Sequence, residues 1–84
     1  MPMFTNIEPD KEGKRHIFWF VNQQYDYLMC IYYDQVTQTY RLNCSDEEAM
    51  RIGKQTSGHD FDVKYWLKEA EQALREADEQ PPKS

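Results

Sequence analysis

Two histidines, two cysteines and a scatter of serines and acids are the side chains here that could do chemistry. His16 follows Arg15. His59 lies beside Asp60 and two residues before Asp62. A zinc site would need four converging ligands, and His16, His59, Cys30 and Cys44 show neither C-x-x-C nor H-x-x-x-H spacing. His59 with Asp60 and Asp62 could serve as an acid–base cluster. A polar loop ahead of a helix cap explains the same residues. Ser45 and Ser57 lack the strand–turn–helix context of an activated nucleophile. No glycine-rich phosphate loop is present. The expectation is a protein that is not an enzyme and needs no metal or cofactor.

What stands out instead is residues 15–44. They run R-H-I-F-W-F-V-N, then Y-D-Y-L-M-C-I-Y-Y-D, then T-Y-R-L-N-C, with polar turns between. Aromatic and β-branched runs interrupted by turn residues predict a β-meander. The strands are expected near Ile17–Val21, Tyr27–Tyr33 and Thr39–Asn43. Residues 1–14 read as an arm or loop, with a weakly signalled strand around Phe4–Ile7.

After residue 44 the period changes. Ser45-Asp46-Glu47-Glu48 has the form of a capping box, which predicts a short helix over Asp46–Lys54. Val63, Trp66, Leu67, Ala70, Ala73, Leu74 and Ala77 recur at three- and four-residue spacing and predict a second helix with one apolar stripe. Asp60 or Asp62 is its expected N-cap, and Pro81-Pro82 its stop. The fold class is α+β, a three-stranded antiparallel meander followed by two helices packed on one face. The 84 residues divide into arm (1–14), meander (15–44), helices (45–79) and a flexible tail (80–84) within a single small domain.

The expected turn at residues 34–38 sets strand faces. Paired residue numbers summing to 72 put Leu28, Cys30, Tyr32, Tyr40, Leu42 and Cys44 on the core side. Phe18 and Phe20 join them if the first hairpin's loop centres near Gln24. Trp19, Tyr27, Met29, Ile31, Tyr33 and Arg41 then lie on the outer side, an apolar patch too large for a monomer to leave wet. A slip of one residue would make Trp19 core and expose Phe18 and Phe20 instead. Cys30 and Cys44 would share a face diagonally, roughly 7–8 Å apart, too far to bridge and so two buried thiols.

Charge narrows the partner class. Net charge is −5, and residues 45–84 carry a net −4 of it. An acidic chain is a poor phosphate binder, so nucleic acid is not the expected partner. The N-terminus lacks the basic and apolar regions of a signal peptide, no run is long enough to span a bilayer, and cytoplasmic residence is expected.

The functional expectation is a small acidic protein-interaction module. It would act as an inhibitor or accessory of a larger protein, in the most concrete version one that handles nucleic acid. The outer sheet face would dock, and Glu47, Glu69, Glu76 and Glu79 on the helices would tune partner choice. A homodimer through the outer face is the favoured first form. The competing readings are base stacking of a single strand on the sheet aromatics and a purely structural homodimer.

Overall fold

The computed structural model describes residues 2–79; the expected flexible tail at 80–84 lies outside them. Four strands form one antiparallel sheet in the order β1-β2-β3-β4: β1 Phe4–Pro9, β2 His16–Val21, β3 Tyr27–Asp34 and β4 Thr39–Leu42. Two helices follow, α1 Asp46–Ser57 and α2 Val63–Glu79. The architecture is α+β as expected, with one strand more. The first strand, within what reads as an arm, pairs with β2 over six residues, from Phe4 opposite Val21 to Pro9 opposite His16.

Helix ends follow local chemistry. Ser45 Oγ accepts the Glu48 N–H at 3.1 Å and caps α1. Glu48's carboxylate pairs with Arg51, one turn on. Beyond the expected end at Lys54 the helix runs on to Ser57. Gly58 then stops it at φ 79, its N–H on the Lys54 carbonyl at 2.9 Å. Asp62, of the two candidate aspartates, caps α2 by accepting the Tyr65 N–H at 3.1 Å.

Both helices lie on one side of the sheet. Their cover is Ala49 from α1 and Val63, Ala70 and Leu74 from α2, over Phe18, Phe20, Met29 and Ile31. Phe61, between the helices, completes the core and meets Phe20 edge-on at 5.3 Å between ring centres. Trp66 packs edge-on against Phe20 and stacks on Phe61. Burial of this aromatic cluster is the main stabilisation open to so short a chain.

The strand faces differ from expectation in β3 alone. Phe18 and Phe20 point into the core, and Tyr40 and Leu42 lie on that same side, as expected. β3 is flipped over most of its length. It pairs Phe18 with Ile31 and Phe20 with Met29, then slips so that Val21 opposes Tyr27. Leu28 is the extra residue of this β-bulge. At the other end Asp34 opposes Thr39, which shortens the loop by one residue. Met29 and Ile31, each 1% exposed, therefore belong to the core and not to the outer face. Tyr33 is also on the helix side, opposite Tyr40 with ring centres 5.2 Å apart.

Candidate functional site

The uncovered side of the sheet is the candidate site. β1 contributes Phe4, Asn6 and Glu8, β2 contributes Ile17, Trp19 and Val21, and β3 contributes Tyr27, Cys30 and Tyr32. Arg41 comes from β4. Alternation along each strand and the pairing between strands put these on one face. No helix lies over them.

Trp19 and Tyr27 form its centre, edge-to-face with ring centres 5.1 Å apart. The bulge makes this contact, since it alone returns Tyr27 to the side of Trp19. Asn6 Nδ2 donates to the Tyr27 hydroxyl at 3.3 Å and to Glu8 Oε2 at 3.0 Å. The Glu8 carboxylate raises the Tyr27 phenol above its ordinary value. Arg41 reaches Asp34 at 3.7 Å on the same face. Cys30 is buried among its neighbours, its N–H donating to Asn43 Oδ1 at 3.0 Å. Burial pushes its thiol up to about 11.

One corner of the face is more open. Phe4 is 50% exposed and Tyr25, in the β2–β3 loop, is 82% exposed. With Val21 and Tyr27 they line a shallow hollow of about 250 Å3. Tyr25 stands at φ 65, the left-handed region that a side-chain-bearing residue enters at a cost. Asn22 fixes the loop: its Oδ1 accepts the Gln24 and Asp26 N–H groups, both at 2.9 Å.

Of the expected docking residues, then, Trp19, Tyr27 and Arg41 share the open face. Met29, Ile31 and Tyr33 do not. Tyr32 takes the position expected of Tyr33, and Phe4 and Tyr25 extend the face. Tyr33 instead carries the Arg15 guanidinium 4.0 Å above its ring on the opposite side. Beside it, Asp78 Oδ1 accepts both the His16 backbone N–H at 2.9 Å and the His16 ring at 2.7 Å. This ties the last turn of α2 to the start of β2.

Glu47, Glu69, Glu76 and Glu79 are exposed. The last three fall with Tyr65 and Gln72 along one line of α2, directly opposite its buried Val63, Ala70 and Leu74. They therefore face away from the sheet's open side. Cys30 and Cys44 are both free, but on opposite sides of the sheet, Cys44 packing against the core.

Among the described residues no three His, Cys, Asp or Glu side chains gather where they could hold a metal ion. No helix among them is long and apolar enough to cross a membrane. No family model, curated protein or solved structure matches this chain.

Proposed function

We propose that this chain is a non-catalytic protein-interaction module whose open sheet face docks on another protein. One observation carries the reading. Both helices cover the same side; on the other, with no helix over them, Phe4 and Tyr27 are exposed and Ile17, Trp19 and Tyr32 are partly exposed. Interface cores are enriched in such aromatic residues, and binding energy concentrates in a few of them. The Trp19–Tyr27 pair is the natural anchor, and Tyr25 and Phe4 form its rim at one corner.

The acidic line on α2 faces the other way. Glu69, Glu76 and Glu79, with Glu47 on α1, act at range, orienting approach to a basic partner. An inhibitor or accessory of a larger protein with a basic surface fits this division of labour. The single-strand reading has less support, because Arg41 is the one basic strand residue on the open face and it pairs with Asp34.

The test is capture with the full chain, comparing wild type, Trp19→Asp and Glu69→Gln/Glu76→Gln. A partner held by wild type is lost with Trp19→Asp at retained fold. The double glutamine variant binds it with a weaker salt dependence. A partner held equally by Trp19→Asp rules the open face out, and a fluorescent single strand bound at micromolar concentration replaces the reading with base stacking.

A further inference from the structure

We propose that the free edge of β1 pairs with β1 of a second copy of this chain, antiparallel across a twofold axis at Asn6, to make one eight-stranded sheet. The pairing stands independently of what docks on the open face.

The two edges of the sheet are unlike. β4 is four residues long, and α2 packs against it. β1 is six residues long and unbroken in its pairing with β2. It reaches past the cover of α2, so that Thr5 and Ile7, though on the helix side, are exposed, Ile7 to 38%. Outward N–H and C=O groups along such an edge are a template for another strand. Natural edges are blunted by lysines, bulges or inward charges. β1 has none of these before Pro9, and its one charged residue is Glu8.

A second copy suits this edge better than an arbitrary strand. A twofold axis perpendicular to the sheet pairs residues of like face, so paired numbers must sum to an even value. The sum of 12 pairs the whole run Phe4–Glu8 and leaves proline, which has no N–H, outside it. Asn6 then opposes Asn6 of the other copy, Thr5 opposes Ile7, and Phe4 opposes Glu8. No like charges meet. The two Glu8 carboxylates lie roughly 13 Å apart along the strands, beyond a physiological Debye length of about 8 Å.

The pairing also doubles the open face. The four strands average six residues and present an open face of roughly 400 Å2 in projection. Eight strands present about 800 Å2, with two Trp19–Tyr27 pairs on one continuous surface.

Sedimentation of the full chain at micromolar concentration tests the association. Wild type sediments as a dimer, and a strict monomer overturns the proposal. Thr5→Lys/Ile7→Lys sets like charges opposite each other twice across the seam and weakens the dimer about tenfold. Thr5→Glu/Ile7→Lys sets opposite charges there and restores it. Equal dimerisation by both variants overturns the register. Because the charged variants could perturb β1 itself, a second measurement uses Asn6→Cys in a Cys44→Ser background. Mild oxidation cross-links Asn6→Cys and leaves Glu8→Cys without a covalent cross-link, since only Asn6 opposes itself. Cross-linking of Glu8→Cys alone defeats the proposal.

Discussion

Gly53 of α1 lies against the Phe61 ring with no space for a side chain between them. A Cβ at Gly53 would come within 2.7 Å of Phe61 Cδ1, with two further Phe61 carbons nearer still. Glycine inside a helix ordinarily costs about 1 kcal/mol relative to alanine. Here the close approach of helix and ring accounts for it. Gly53→Ala is expected to destabilise by about 1–3 kcal/mol, because overpacking outweighs the gain in propensity. A higher denaturant midpoint for Gly53→Ala would show that α1 does not seat on Phe61 in this way.

Asp78 joins the two ends of the fold through His16. Removing it leaves the His16 backbone N–H without its acceptor. Asp78→Ala is expected to cost about 1–3 kcal/mol in denaturant unfolding. Amide exchange should quicken both at the start of β2 and in the last turn of α2. Quickening in α2 alone would mean that the contact does not hold the strand.

Cys30 gives a stability change with a stated sign. Burial raises its thiol from 9.0 to about 11. Between those values the unfolded chain has released the proton and the folded chain still holds it. Its contribution is fully present below pH 9.0 and is lost as pH rises through about 11. The difference in unfolding midpoint between wild type and Cys30→Ala should shrink across that window. A difference independent of pH would place the thiol in water.

Tyr25 tests whether the open corner is kept for a purpose. Its left-handed backbone costs a non-glycine residue about 1–2 kcal/mol, which glycine avoids at some loss of chain entropy. Tyr25→Gly is therefore expected to stabilise the isolated protein by about 0.5–1 kcal/mol while weakening partner capture. A destabilised Tyr25→Gly would show that the side chain packs within the protein.

Helices were the most readable part of this sequence. The Ser45 cap and the Val63–Leu74 stripe depend on local spacing, and both stand where spacing puts them. β1 was faint because T-N-I-E has no alternating apolar face, as suits a strand that the helices leave uncovered. The faces of β2 and β4 were readable from their alternation. That of β3 was not, since Tyr27–Tyr33 is apolar on both sides and carries no face of its own. Its orientation depends on one extra residue at Leu28 and one fewer in the following loop. Neither a bulge nor a loop length is written in hydrophobicity. Three expected docking residues, Met29, Ile31 and Tyr33, moved inward for that reason, and Tyr32 moved out.

The meander has a consequence in time as well as in space. Every strand pairs with its neighbour in sequence, so each hairpin can close soon after it is made. The hydrogen bonds from His16 to Asp78 span 62 residues and can form only after α2 exists. During synthesis α2 is made last, and until it is made Phe18, Phe20, Met29 and Ile31 lack its cover. For that interval the chain has two sticky sides. Arrival of α2 decides which of them becomes the inside.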